Sequence, residues 1–581
     1  MTTHRPSWRP ALLLLALMGM ASAQARDRFD DAAFATGRYR QPVDLSEFAP
    51  GPDARPPSRT FEGRLRLSGQ ASTRTLVADP GFISRNELAS ARTLPGDFDA
   101  AFVQDGSSLI PVTRGPMPSS HDWWEFVLEP GSAWDEPGET GFTRAAIPFA
   151  LVQKNANCTH NGVMLFRFGD DGAISRVAVQ VSSETCQYLQ FDLWGWLDAD
   201  YLPATVPDKA ARVSAHRAEV AARLPVRPMT DLPRDFPGVA VESFTIGAAR
   251  ARTRHGVVAN GIHYHSGCPT RQGEYPYCDV MVLPSFSLAK SVMAGVALMR
   301  LEALYPGAAD QPVSRHALAS GCRSEDWRGV QFRHLLDMAT GHYDSPAYMA
   351  DEDDARVAAF FKASSHPHKL AFSCEAYARR EAPGKRWVYH TPDTYLLGTV
   401  MAHFLAQQPG REGQDLFRDV LARDVFSPLG LSATAHATRR TYDDFAQPFF
   451  GWGLFLHADD FAKLARFLGP DQGRVDGRPL LDADMLDAAM QRKPDDRGLP
   501  VASLQDFRYQ HGFWARNVQA ALACEQPTWV PFLSGFGGIT MALFPNGVAW
   551  YNVADDGLLA SIDFAGPAAA AAAMGGYCGS P

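Results

Sequence analysis

The rhythm of hydrophobic and polar positions changes along this chain. In residues 56–235 apolar positions recur with a period of two. Residues 61–67 alternate apolar and polar, and residues 123–128, 147–152, 163–168, 177–181 and 188–193 form short apolar runs bounded by Gly, Pro and Asn. Runs of this length at frequent turns predict strands in a β-rich domain, most simply a sandwich. The Arg/Ala-rich stretch 208–224 predicts a helix, and the proline-punctuated residues 225–237 a linker. Beyond Pro284 the period becomes helical, with Leu288, Val292, Val296 and Met299 on one face as far as Leu304. The alanine tract 568–573 predicts a terminal helix.

At 581 residues the chain exceeds what one core supports, so two domains are expected. Residues 1–23 have the form of a secretory signal. Arg5 and Arg9 precede an apolar run that is too short to span a bilayer comfortably, and Ala21-Ser22-Ala23 offers a cleavage site. Residues 24–55, rich in Pro, Gly, Asp and Arg, read as an extended lead-in. The boundaries expected are thus 1–23 signal, 24–55 lead-in, 56–235 β-rich N-terminal domain and 236–581 second domain. Export to the periplasm or the medium follows, with no stable membrane anchor.

Export gives the eight cysteines a meaning. Cys158, Cys186, Cys268, Cys278, Cys322, Cys374, Cys524 and Cys578 fall into four sequential neighbours, and pairing in that order is the expectation, with other connectivities open. No Cys-x-x-Cys or His-Glu-x-x-His spacing marks a metal site. His263 and His265 would share a strand face but lack a third ligand, and read as surface histidines. The net charge of −9 leaves no basic cluster for nucleic acid. Trp123, Trp124, Trp134, Trp194 and Trp196 are better explained as core than as a glycan-binding face. Asn157-Cys158-Thr159 matches a glycosylation sequon and is read as incidental.

The chemistry is carried by Ser287-Leu288-Ala289-Lys290 at the head of the helical segment. A serine and a lysine at i and i+3 lie on one side of a helix. At a helix N-terminus the macrodipole and the ammonium both favour a developing alkoxide, which makes a weak nucleophile usable.

Further motifs follow in order. Pro383-Gly384-Lys385-Arg386-Trp387-Val388-Tyr389-His390-Thr391 and Tyr395-Leu396-Leu397-Gly398 resemble the Pro-Gly-x-x-Trp-x-Tyr-Ser-Asn…Leu-Leu-Gly stretch of the serine β-lactamase and penicillin-binding-protein superfamily, in its class C, esterase and nylon-oligomer hydrolase branches. Phe332-Arg333-His334-Leu335-Leu336, ending at Thr340-Gly341, is similar to its Arg-His-Leu-Leu-x-x-x-Ser-Gly signature. Ser427-Pro428-Leu429-Gly430-Leu431 resembles its Pro-Leu-Gly-Met turn. Gly451-Trp452-Gly453-Leu454 with Asp460-Phe461-Ala462 resembles Gly-Gly-Leu…Asp-Leu-Ala. Ser534-Gly535-Phe536-Gly537-Gly538-Ile539 stands where the superfamily carries Lys-Thr-Gly or His-x-Gly. The resemblance covers roughly residues 240–580.

It implies an α+β fold, with an antiparallel sheet flanked by helices and an all-helical subdomain, preceded here by the β-rich domain. It also implies an acyl-enzyme mechanism without cofactor or metal. Ser287 attacks a carbonyl, Lys290 and Tyr389 act together as general base, and the backbone N–H groups of Ser287 and Ile539 form the oxyanion hole. Phe536, Gly537, Gly538, Thr391 and His390 would line the substrate pocket. Two departures limit the carry-over. Phe536 replaces the customary Lys or His, and Thr391 replaces Asn. An unpaired carboxylate is expensive to desolvate, so the expected substrate is a neutral or hydrophobic ester or amide, small or peptide-like. The alternatives are a non-catalytic binding or scaffolding protein on a degenerate β-lactamase-like fold, or a β-lactamase or D-amino peptidase.

Overall fold

The structure is a computed structural model that describes residues 29–37, 39–247, 252–317, 321–557 and 562–578. The leader read at residues 1–23 lies outside them.

Ten strands between Gly63 and Pro203 form one antiparallel sheet. Gly63–Ser68 pairs with Asp99–Asp105 on one side and with the end of Leu189–Pro203 on the other. Between those two the path runs through Ser108–Pro111, Gly131–Trp134, Thr143–Gln153, Thr159–Phe168 and Val177–Thr185. Eight strands therefore close into a barrel, and the sandwich expected from the sequence is corrected. Closure is possible because Leu189–Pro203 is 15 residues long. It pairs with Val177–Thr185 through its middle and with Gly63–Ser68 through its end, so no long edge is left open. Ser72–Ala78 and Trp124–Leu128 add to Leu189–Pro203 and Thr143–Gln153 as extra strands.

Phe61, Leu65, Phe102, Ile147, Met164, Phe166 and Phe191 fill the barrel. The alternate residues Ala146, Val163, Leu165 and Ala178 face outward, into the core that also holds Leu288, Val292 and Val296. Ala150 and Val152 pack on Val282 and Phe455. These barrel strands are thus buried on both faces, which is why residues 147–152 and 163–168 read as nearly continuous apolar runs. The lead-in is not extended. Phe29, Phe34 and Tyr39 close edge-on around Trp196 on the outside of the barrel, with Phe48 against Phe29. Trp123, Trp124, Trp134 and Trp196 are all buried, and Trp194 packs against the same core.

The second sheet has nine strands in the order Val226–Pro228, Ile262–His265, Arg252–Ala259, Ala549–Ala554, Ile539–Leu543, Trp529–Gly535, Phe513–Asn517, Leu504–Gln510 and Leu499–Val501. All its pairings are antiparallel except that of Val226–Pro228, which lies in the stretch expected to be a linker. His263 is buried, with its ring Nε2 2.8 Å from the Tyr551 hydroxyl, and is no surface residue. Helix Ala458–Leu468 packs on this sheet, and Thr391–Ala406 packs with Phe332–Leu336 and His366–Glu375 in a helical layer. The polyalanine tract lies in helix Ala565–Met574. The cysteines pair in chain order, 158–186, 268–278, 322–374 and 524–578.

The joint between barrel and second unit is polar as well as apolar. Asn161 spans Val282 from both sides, accepting from its N–H at 3.1 Å and donating to its carbonyl at 2.9 Å. Asn157 accepts from Gly453 N–H at 2.6 Å and donates to Leu454 O at 3.3 Å. With 0 % exposure it offers nothing to a glycosyltransferase. Arg439 pairs with Glu125 and donates to the carbonyls of Val152 and Gln153.

Asn157→Ala leaves the Gly453 N–H buried without a partner, a loss of about 2 kcal/mol. Thermal or denaturant unfolding should show that loss, and an unchanged midpoint would mean that the joint does not depend on this side chain.

Candidate active site

Leu283–Pro284 pairs with Phe455–Leu456, and this two-stranded ladder delivers the chain to Ser285. Ser285 N–H donates to Leu454 O at 3.0 Å, and Ser285 Oγ accepts from Leu454 N–H at 3.2 Å. The next residue, Phe286, has φ +41°, a left-handed conformation that costs a non-glycine residue roughly 1–3 kcal/mol and persists only where packing imposes it. Ser287 follows in the tight turn Phe286–Leu288, then comes a wide-turned segment Lys290–Gly295, then regular helix Val296–Leu304. Wide turns of this kind recur at functional sites because they re-aim side chains.

Ser287 is half-buried and Lys290 is only 2 % exposed. Lys290 Nζ donates to Ser287 Oγ at 2.8 Å, to Thr391 Oγ1 at 2.9 Å and to Gly451 O at 3.2 Å. Its charge also sits 4.9 Å from the centre of the Tyr389 ring. Burial pushes its pKa down to about 8, against the opposite pull of the Glu352 carboxylate. A lysine in this state exchanges a proton near neutrality.

Tyr389 is brought here by its own motif. Val388 N–H bonds Met338 O at 2.9 Å and Gly384 N–H bonds Ala339 O at 2.7 Å, so the His334–Gly341 segment holds the Tyr389 segment in place. Burial first, and Glu352 after it, push the Tyr389 phenol well above its ordinary pKa. Both effects disfavour the phenolate. Ser287 is among the groups acting on it, in the lowering direction.

Thr391, the substitute for Asn, accepts from Lys290 and donates through Oγ1 to Glu352, while its N–H donates to the other Glu352 oxygen at 2.8 Å. Glu352 thus caps helix Thr391–Ala406 and faces the lysine through one hydroxyl. Sequence reasoning missed Glu352, because Asp351-Glu352-Asp353-Asp354 reads as a solvated acidic loop. It missed Gly451 as well. A Cβ there would lie 2.5 Å from Thr394 Oγ1, so glycine is what lets this carbonyl reach Lys290.

The remaining candidates divide. Gly535 comes against the turn that carries Ser287, where an added Cβ would lie 2.6 Å from Ser285 O. Ile539 is its partner across the ladder, with its side chain in the core. Gly537 and Gly538 form the turn, with φ +87° and +119°. Phe536 is half-buried, 5.7 Å from the Phe286 ring. His390 does not line an open pocket. It is buried, stacked on Tyr377 at 4.2 Å, with Nε2 3.0 Å from Asp351 and Nδ1 3.8 Å from Asp393. Burial works against its charge, but the Asp351 bond holds its pKa above the ordinary value.

A family model described as Beta-lactamase matches residues 236–554, more than half of the chain. The chain belongs to the beta-lactamase family. No curated protein matches it. Among solved structures, EstCE1, a hydrolase with promiscuous acyltransferase activity, is 18% identical over 60-odd percent of this chain (63%) and 99% of its own, with TM-score 0.41. A D-stereospecific amidohydrolase from Streptomyces sp. is 16% identical over 54% and 91%, with TM-score 0.39. An octameric penicillin-binding protein homologue from Pyrococcus abyssi is 16% identical over 55% and 72%, with TM-score 0.39. Likenesses this distant say nothing about substrate.

Glu352 raises the Lys290 pKa, so Glu352→Gln should lower it. The ammonium signal of labelled Lys290 should titrate at lower pH in the variant, and an unmoved titration would show that the two groups do not sense each other.

Proposed function

We propose that this chain is an exported serine hydrolase that forms an acyl-enzyme through Ser287 on a neutral or hydrophobic ester or amide. The observation that supports it most is the 2.8 Å bond between Lys290 Nζ and Ser287 Oγ, made by a buried lysine whose pKa falls to about 8. In this reading the neutral fraction of Lys290 takes the Ser287 proton as Oγ attacks the carbonyl. The Ser287 N–H at the helix start receives the oxyanion, with its second donor from the turn after Gly535, and each such donor is worth about 3 kcal/mol. Tyr389, a phenol kept protonated, hands a proton to the leaving group. Lys290 passes the Ser287 proton on to Tyr389 and is neutral again; water then enters, gives its proton to the amine as it attacks the acyl carbon, and the acid leaves as that proton returns to Ser287 Oγ.

A neutral substrate is favoured by what surrounds Phe536. Its ring neighbours are Phe82, Tyr188 and Phe286. Arg386 and Arg516 are bonded to Glu381 at 2.6 Å and Asp563 at 2.8 Å. Export is supported by the four disulfides. Among the described residues no helix is long and apolar enough to cross a membrane. We also keep the division at about residue 235 as a proposal, with the barrel as a separate N-terminal unit.

A fluorophosphonate should label Ser287, and mass spectrometry that placed the adduct on Ser285 or Ser291 would end the assignment. Lys290→Ala and Tyr389→Phe should each lower kcat at least ~100-fold, with less than additive loss together. Nitrocefin should turn over slowly or not at all while neutral esters are hydrolysed. Efficient nitrocefin hydrolysis that depends on Ser287 would refute the substrate class.

The amine works only when neutral, and it is protonated below about 8. Therefore kcat/KM should fall about tenfold per pH unit below that value and level off above it. A profile flat between pH 6 and 9 would remove Lys290 as the base.

A further inference from the structure

We propose that the N-terminal barrel supplies part of the substrate pocket, through Phe82 and Tyr188, and that the substrate carries an aromatic or several-carbon apolar group beside the scissile bond. This rests on the serine-hydrolase reading above and names the substrate class of that site.

Four aromatic rings run from the barrel to the nucleophile. Phe82 stacks on Tyr188 at 5.0 Å and 10°. Both lie near Phe536, at 5.6 Å and 6.3 Å, and Phe536 lies 5.7 Å from Phe286, the residue before Ser287. Phe82 is 50 % exposed, so a large apolar ring is held in solvent at the end of this run. It is held there firmly. Asp79 N–H bonds Tyr188 O at 2.9 Å, Asp79 Oδ1 accepts from Gly81 N–H at 2.8 Å, and Phe82 N–H returns to Asp79 O at 3.0 Å. Tyr188 in turn donates to Gln153 Oε1 at 2.5 Å, two residues from the Cys158–Cys186 disulfide.

The same segment reaches both banks of the site. Just beyond Phe82, helix Arg85–Ala91 carries Glu87, which bonds Lys362 of helix Val357–Lys362 at 3.0 Å. On the other bank, the barrel residue Gln187 lies 3.9 Å from the Cβ position of Gly537, and Gln190 donates to Asp555 at 2.9 Å. Through Phe82 at Phe536 and Glu87 at Lys362, residues 79–91 span from the glycine hairpin to the helical layer. The run of rings ends at Phe286, next to Ser287 in the chain. Aromatic faces without a paired cation attract apolar and aromatic groups and repel carboxylates.

The experiment is a selectivity measurement on the full chain. One series of p-nitrophenyl esters varies the acyl group from acetyl to octanoyl and phenylacetyl. A second series varies the alcohol from methyl to naphthyl at constant acyl group, and the arm that responds tells which side of the bond meets the rings. In Phe82→Ala the ratio of kcat/KM for the large over the small member should fall about tenfold in one series, the size of a lost apolar contact. Phe82→Tyr, which keeps the ring, should retain the ratio. Leu202→Ala, which removes another exposed apolar side chain of the barrel, should not change it. Ratios unchanged by Phe82→Ala in both series, with Ser287 still labelled by the fluorophosphonate, would overturn the pocket and leave the hydrolase reading standing. Equal losses in Phe82→Ala and Leu202→Ala would overturn it too. Failure of Ser287 to label at all would remove the hydrolase reading, and the pocket with it.

Discussion

Everything near Ser287 follows from the burial of one ammonium. A lysine has three N–H donors, and in a site closed to water each must find an acceptor or the charge is costly. Lys290 finds Ser287, Thr391 and Gly451. The first lies on its own helix turn, the second at the start of another helix, and the third on a loop far along the chain. One side chain thus ties three segments together. What the hydrogen bonds do not recover of its hydration appears as a pKa lowered to about 8, and that residual cost is what makes the amine useful.

The constraint propagates outward. Gly451 must lack a side chain to bring its carbonyl in, and the neighbouring Gly453 and Leu454 are held by Asn157 of the barrel. Leu454 in turn fixes Ser285, and Phe286 is forced to positive φ between that anchor and the helix. Strain at such a residue survives because the surrounding bonds over-determine it. The barrel is therefore bonded, through Asn157 and Leu454, to the residues that set Ser287.

Electrostatics is layered. The innermost positive charge is Lys290; behind it stand Thr391 and Glu352, and further back Asp351, His390 and Asp393. Burial pushes Asp393 up to about 7, while Asp351 holds His390 toward its charged form. The acidic layer balances the lysine and offers nothing to a substrate carboxylate. The other wall, at Phe536, is aromatic.

Several features of this protein were fixed by local sequence alone. The spacing of Ser287 and Lys290 places them one turn apart, and the alternation in residues 61–67 makes a strand. Tertiary structure decided the rest. Closure of the barrel depends on how far Leu189–Pro203 extends past its neighbour, a property of register rather than of composition. Glu352 meets the site only because helix Thr391–Ala406 presents its N-terminus to it. Asn157 read as an incidental sequon, because a partner hundreds of residues away leaves no periodic trace. Contacts between segments remote in sequence are set by packing, and a pattern read along one segment carries only that segment's own half of each contact.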